Sequence, residues 1–216
     1  MEADNKVSAI QKAQKTECDI IGLKFNTEIE EAVSTLKGLL PFIKKPLMLR
    51  GSGDDCADKI LLPKLINSLT FKSIVAHANE NTYKNIVPDI VKGGHTLVIR
   101  TPIDINLCKE MNILASDMGQ PLEKIIIDTD IGGLGYGLEY GYSIMEKIKL
   151  EAEKDEYLNM PLISFAAEET AKTKEAKDKN LSMYLEIASA SAVKAAGADY
   201  IVLNSEEAVK TMKGLE

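Results

Sequence analysis

The sequence predicts an α/β fold of TIM-barrel type, a single domain over residues 1–216 with about seven parallel strands and without the barrel's usual first strand. Three observations predict it. Short apolar runs alternate with helical patterns along the whole chain, which is how βα units and a parallel sheet read. The runs are apolar throughout, as buried strands are when helices cover both faces. The first helical pattern, about Lys6 to Glu17, comes before the first run. A doubly wound open sheet is the competing architecture.

The strand-like runs are Asp19–Phe25, Pro46–Arg50, Ser73–Ala78, Thr96–Arg100, Lys124–Asp128, Pro161–Phe165 and Tyr200–Asn204. Pro63 and Pro88 fall inside helical windows and predict kinks or early endings. Gly93 closes the helix before the fourth run. Thr101-Pro102-Ile103-Asp104 predicts a helix start, with the threonine as N-cap, the proline first in the helix and the acid third. Leu107, Met111, Leu114 and Met118 then form one apolar stripe, and Gly119 closes it. Ala166–Asn180 is rich in Ala, Lys and Glu and reads as a solvated helix or mobile loop. Gly197 closes the last long helix.

The segment Lys124–Lys147 is the most informative. Ile125, Ile126 and Ile127 end on Asp128, a loop carries Gly132, Gly133, Gly135 and Gly137, and a helix follows with Ile144, Met145 and Ile148 on one face. Strand, acid, glycine loop and helix is how α/β folds build small-molecule sites at strand carboxyl ends. Glycines there admit backbone amides to a ligand that a Cβ would hold off. The alternative is a loop that only turns the chain.

Bulk properties narrow the function classes. The net charge is −7 and the pI about 5.1, so the summed field disfavours nucleic acid and anionic membranes as partners. No apolar run approaches the ~20 residues that span a bilayer, and no apolar signal core begins the chain, so a cytoplasmic protein is expected. Cys18, Cys56 and Cys108 stand far apart, without metal-ligand spacing, so no iron–sulfur cluster is expected in this chain.

Candidate chemistry collects at strand ends: Asn26, the Arg50-Gly51-Ser52-Gly53 turn, His77 and Asn79, Arg100 and Thr101, Asp128 and Asp130, and Asn204. In a barrel these face one rim. Arg50 and Arg100 are the chain's two arginines; they either hold a carboxylate or phosphate or pair with acids such as Asp54 and Asp128. Asp104 reads first as a helix cap. His77 and His95 lack companions at metal-ligand spacing and read as structural groups.

The runs Pro46–Gly53 (PLMLRGSG), Ala76–Lys84 (AHANENTYK), Thr101–Leu114 (TPIDINLCKEMNIL) and Gly133–Lys147 (GLGYGLEYGYSIMEK) carry a resemblance. They resemble the small (delta) subunit of the corrinoid iron–sulfur protein of the carbon monoxide dehydrogenase/acetyl-CoA synthase system of acetogens and methanogens. The chain departs from that family where Asp128 is followed by Thr129-Asp130-Ile131, where Arg50-Gly51 stands for Gly-Gly, and in having no Trp. The resemblance implies a TIM-barrel accessory subunit of a corrinoid-dependent methyl-transfer system, capping a cobamide carried by a large (gamma) corrinoid/iron–sulfur subunit. It implies further partners in a pterin methyltransferase and acetyl-CoA synthase, and no catalytic residue of its own. The expected cofactor contacts are Asn79, Thr101 and Asp128 by side chain, with Gly132, Gly133 and Gly135 by backbone. The alternatives are a methyltetrahydropterin-binding methyltransferase and a cofactor-free interaction scaffold. Lacking a first strand, the sheet is expected to associate through its first or last strand, as a homo-oligomer or with a large-subunit partner.

Overall fold

The computed structural model describes residues 2–131 and 137–215. α1 (Glu2–Lys15) leads into β1 (Ile21–Lys24), α2 (Ile29–Leu39), β2 (Leu47–Arg50), α3 (Asp55–Ile66), β3 (Ile74–Ala78), α4 (Tyr83–Gly93) and β4 (Thr96–Arg100). Then come α5 (Ile105–Asp117), β5 (Ile125–Asp128), α6 (Leu138–Glu151), β6 (Leu162–Ser164), α7 (Ala166–Ala171), α8 (Lys179–Ala195), β7 (Tyr200–Ile201) and α9 (Glu206–Lys213). The strands follow one another in chain order in one seven-stranded sheet. The pairs β1/β2, β2/β3, β5/β6 and β6/β7 are parallel. A doubly wound sheet would reverse its order at a switch point; sequential parallel order is that of a TIM-type barrel. Every apolar run contains a strand: Thr96–Arg100 kept its bounds and the others were trimmed at one or both ends. The last kept only Tyr200–Ile201, with the Val202 amide still donating to the Ser164 carbonyl at 2.8 Å.

The chain forms two compact units: Met1–Val98 with Ala115–Lys124, and Ile99–Leu114 with Ile125–Glu216. In the first, Leu47, Leu49, Leu62, Leu65, Ile86, Ile90 and Leu97 are fully buried. Each such side chain contributes roughly 1.5–3 kcal/mol. That burial explains why the two prolines end nothing. α3 continues beyond Pro63 and α4 beyond Pro88. Leu62, Leu65, Val87 and Ile90 around them are buried, and their packing offsets the lost backbone bond.

The glycine that ends α4 is Gly94, not Gly93: it takes φ +65° in the left-handed region. Gly93 is small for another reason. A Cβ there would lie 2.2 Å from Nε2 of His95. His95 is buried, its Nδ1 accepts from the Ser73 amide at 3.1 Å, and its carbonyl accepts from Gln120 Nε2 at 3.2 Å. It is the satisfied structural histidine the sequence suggested. Burial, then the nearby Lys124 charge, lowers its pKa. The unfolded chain therefore binds this proton first, and the neutral imidazole's contribution is present above about pH 6.5 and is lost as pH falls through the lowered folded value. Urea midpoints taken between pH 7.5 and 5.5 should fall with pH in the native chain, and the difference from His95→Gln should account for that part of the slope. Equal slopes in both proteins would refute the assignment.

In the second unit Ile99, Met111, Ile125, Ile127, Leu162 and Ile163 form the core. α5 starts one turn later than expected. Asp104, not Thr101, caps it: Asp104 Oδ1 accepts from the Asn106 and Leu107 amides at 2.8 and 3.1 Å. Thr101–Ile103 instead turn the chain, with Ile103 at φ +48° and its amide donating to the Thr129 carbonyl at 2.9 Å. The later start moves the buried stripe to Cys108, Met111, Asn112 and Ala115; Leu107, Leu114 and Met118 are only half-buried. Gly119 and Gly197, at φ +94° and +105°, close α5 and α8 as expected. Ala166–Asn180 is not a solvated run throughout: Ala166, Ala167, Glu169 and Thr170 are buried. Ala166 and Ala167, with Glu169 and Thr170 one helical turn on, form the buried side of α7, and the charged remainder of the segment is largely exposed.

Candidate functional sites at the strand ends

In the first unit, the turn after β2 is filled from within. The Asp58 side chain, reaching back from α3, accepts from the Ser52 amide (2.8 Å), the Ser52 hydroxyl (2.8 Å) and the Gly53 amide (2.9 Å). Gly53 needs its φ of +92°, and a Cβ on Gly51 would come within 2.4 Å of the same carboxylate. This candidate turn is thus already occupied by a resident carboxylate. Arg50, which precedes it, is buried.

The turn after β3 is organised by Asn79. Its Oδ1 accepts from the Asn81 amide (3.0 Å), the Thr82 amide (3.1 Å) and the Thr82 hydroxyl (3.1 Å). Its Nδ2 donates to Asp55 Oδ1 at 2.7 Å, while Asn81 Nδ2 donates to Asp55 Oδ2 at 2.7 Å. Asn79 thus closes its own turn at the head of α4, and Asp55, absent from the sequence candidates, joins β3's loop to α3.

The second unit concentrates charge where β4, β5 and β6 end. Arg100 Nε donates to Asp128 Oδ2 at 2.6 Å, and its NH2 group lies 3.6 Å from Glu168 Oε2. Its guanidinium stands 5.2 Å from the centre of the Phe165 ring, a cation–π distance. Asp128 is 1% exposed, and its other oxygen accepts from the Asp130 amide at 3.0 Å. Asp130 itself takes φ +51°, in the left-handed region. Burial raises the Asp128 pKa and the facing Arg100 pulls it part of the way back. Burial acts to lower the Arg100 pKa, but Asp128, then Asp130 and Glu168, hold it above its ordinary value.

Beside this pair runs a row of hydroxyls. The Thr101 amide donates to the Asp128 carbonyl at 2.9 Å, which sets Thr101 against Thr129 in parallel register. Asp128 pairs with Ile163, so Ser164 follows at the next position. All three hydroxyl residues are buried. Thr101 lies against the Cys108 thiol, whose pKa burial pushes up to about 11, leaving an unreactive SH. After β7, buried Glu186 of α8 accepts from the Asn204 and Ser205 amides, so that loop too is filled by a resident carboxylate. Burial raises the Glu186 pKa against those two amides.

Of the expected contacts, Thr101 and Asp128 meet through their backbones in the second unit, one register position apart and so on alternate faces of the sheet, and Asn79 belongs to the first unit. Gly132, Gly133 and Gly135 lie outside the described residues. The arginine reading resolves for Arg100 in favour of the acid partner, Asp128. Sequence reasoning missed Asp58, Phe165, Glu168 and Glu186. Phe165 follows a strand directly and could have been found by the rule that found the others; Asp58, Glu168 and Glu186 lie inside helices and carried no such signal. Among the described residues no group of three or more His, Cys, Asp or Glu converges as a metal site, and no helix is long and apolar enough to cross a membrane.

A family model described as the CO dehydrogenase/acetyl-CoA synthase delta subunit matches residues 4–216. The acetyl-CoA decarbonylase/synthase complex subunit delta of Methanopyrus kandleri is 32% identical over 139 residues, 63% of this chain and 35% of that protein. The Archaeoglobus fulgidus subunit delta is 32% identical over 143 residues, 64% of this chain and 32% of that protein. The match therefore spans about a third of the length of these curated relatives. Dihydropteroate synthase from Thermus thermophilus, solved in complex with 6HMPPP, superimposes with a TM-score of 0.70 over 99% of this chain and 89% of that chain, at 12% identity. The Yersinia pestis enzyme with a pterine-sulfa conjugate gives 0.68 at 13% identity, over 99% of this chain and 89% of that one. At such identities the likeness is one of fold, and it places the chain among TIM-barrel-like proteins.

Proposed function

Because the chain belongs to the CO dehydrogenase/acetyl-CoA synthase delta subunit family, we propose that it is a non-catalytic positioning subunit of a cytoplasmic, corrinoid-dependent methyl-transfer complex, contacting a cobamide carried by a large corrinoid/iron–sulfur subunit. One observation carries this reading: the strand-end cluster of Arg100, Asp128, Phe165 and Glu168, one cation between two carboxylates and largely dry. Its chemistry suits the amide-fringed edge of a corrin. Asp128 keeps acceptor lone pairs beyond those used by Arg100 and the Asp130 amide, and an amide N–H is the donor they fit. The Arg100 guanidinium, held against Phe165, offers donors to amide carbonyls, and the ring shuts water out beside it. Thr101 would support the same edge from the head of the α5 turn. When bound, the cobamide supplies the cobalt centre that carries the methyl group; this chain supplies orientation and dryness. A pterin methyltransferase and acetyl-CoA synthase are the partners that such a carrier would serve.

A second reading rests on the same carboxylate. Buried Asp128 is the kind of acceptor that the ring N–H and amino group of a methyl-tetrahydropterin require, so the site could hold the methyl donor instead. A third, a scaffold that takes neither, predicts no binding of either compound.

Titration distinguishes them. One subunit face leaves most of a macrocycle in water, whereas small-molecule sites usually bury ~70–90% of their ligand. Methylcobalamin added to the isolated chain should bind weakly and gain affinity when a large-subunit partner is mixed in, seen as a shifted absorption spectrum. Tight binding by the isolated chain would overturn the shared-site reading. Binding of a methyl-tetrahydropterin without any response to cobalamin would favour the second.

A further inference from the structure

Lys45 is held against Cys18 in the first unit. Its Nζ donates to the Thr16 and Cys18 carbonyls, both at 2.7 Å, and stands 3.8 Å from Cys18 Sγ. Two backbone acceptors thus fix where the amine lies, and its place beside the sulfur does not depend on a swinging side chain. The separation is a few tenths of an ångström beyond the about 3–3.5 Å of atoms poised to react. The sulfur has polar company on its other sides: the Thr16 hydroxyl donates to it at 3.0 Å, and the thiol donates to the Ala13 carbonyl at 3.5 Å. Cys18 and Lys45 are both half-buried, which admits a small oxidant. They lie 27 positions apart, on either side of β1 and α2.

We propose that Cys18 and Lys45 are the two ends of an oxidation-driven covalent tie, a sulfenamide, with a hydroperoxide as the oxidant. With hydrogen peroxide, the Cys18 sulfur attacks one peroxide oxygen, the O–O bond breaks, and water leaves a sulfenic acid behind. The Thr16 hydroxyl and the Lys45 amine are the donors placed to hold the new oxygen. Lys45, having given one proton to solvent, then attacks the sulfur with its nitrogen lone pair. The S–N bond forms, the S–O bond breaks, and the oxygen departs as a second water, the nitrogen counterpart of disulfide formation from a sulfenic acid. One thiol, one amine and one peroxide become one sulfenamide and two waters; sulfur loses two electrons and the peroxide gains them. A dithiol reverses the step by attacking the sulfur and expelling the amine. The tie would lock the end of α1 to the residue that leads into β2, so α1 could not detach while it lasts. The proposal rests on the first unit alone and is independent of the cofactor reading.

The test treats the full chain with hydrogen peroxide, removes the excess, digests with trypsin and reads the peptides by mass. Thr16–Lys24 and Lys45–Arg50 should appear joined in one species, lighter than their sum by two hydrogens, and dithiothreitol should separate them. The same treatment should raise the melting temperature by several degrees, because the tie closes a loop of the unfolded chain, and dithiothreitol should reverse the rise. Lys45→Arg keeps a cation for the two carbonyls but not the amine nucleophile. It should form no joined species, and its Cys18 should go on to sulfinic acid. If that variant proves unstable, Cys18→Ala decides: it leaves the Lys45 clamp in place, and peroxide should no longer raise its melting temperature. Separate peptides from the native chain, with Cys18 as sulfinic acid or in a disulfide, would overturn the proposal. So would an equal yield of the joined species from chain oxidised in urea, which would show that the fold does not bring the two groups together for the reaction.

Discussion

Arg100→Ala should destabilise the chain by about 3 kcal/mol, because it leaves a buried carboxylate without its cation. Asp128 is 1% exposed, and Arg100 Nε, at 2.6 Å, is its charged donor. The figure sits low in the range for broken buried pairs because the guanidinium side chain keeps 21% of its surface in solvent. The loss also takes the cation away from the Phe165 ring, 5.2 Å from the guanidinium, and from Glu168 beyond it. Arg100→Lys keeps the charge but not the planar fork, so it should fall between wild type and Ala. The sign with pH follows from the raised Asp128 value. Without Arg100 the carboxyl is easier still to protonate, so the variant should regain stability relative to wild type as pH drops towards the carboxylate range. Urea denaturation of Arg100→Ala, Asp128→Ala and the double variant checks this: the double should cost clearly less than the sum of the singles. Strict additivity would mean the pair is not coupled and would remove the electrostatic account of the site.

Asp58→Ala is the second large effect, at about 3 kcal/mol, since three donors lose a charged acceptor and two of them are backbone amides held by the turn. Those donors are the Ser52 amide, the Ser52 hydroxyl and the Gly53 amide, at 2.8, 2.8 and 2.9 Å. Asp58→Asn keeps the shape but brings an amide nitrogen to face donors, so it should recover only part of the loss. Gly51→Ala attacks the same bonds from the other side, because its methyl would occupy the position of the carboxylate. All three variants should expose the 51–58 segment in hydrogen exchange before the rest of the first unit. A melting temperature within a degree of wild type for Asp58→Ala would show that water replaces the carboxylate at no cost.

The strands were legible because a buried parallel strand writes itself into consecutive residues. Ile125-Ile126-Ile127 and Leu97-Val98-Ile99 need no knowledge of the rest of the chain. Helix ends were legible where one residue carries the geometry, as at Gly119 and Gly197. They were misread where two nearby residues offered the same chemistry: Gly93 for Gly94, and Thr101 as the N-cap of α5, a place taken by Asp104, which had also read as a cap. The site was legible in part for the same reason. Arg100 and Asp128 end strands, so position alone found them, and their pairing was among the options considered. What fills the loops was hidden. Asp58 and Glu186 sit within helices, and only the fold brings each to the amides it binds.

Those two carboxylates have a consequence for ligand choice. Each is a competitor tethered to its own binding site, and tethering gives it an effective concentration of at least the millimolar order. A phosphate or free carboxylate arriving from solution would have to displace a group that cannot diffuse away, and would meet its charge while doing so. Anions at ordinary cellular concentrations are thereby disfavoured in both loops, while an uncharged ligand has the same carboxylates to displace but meets no charge repulsion.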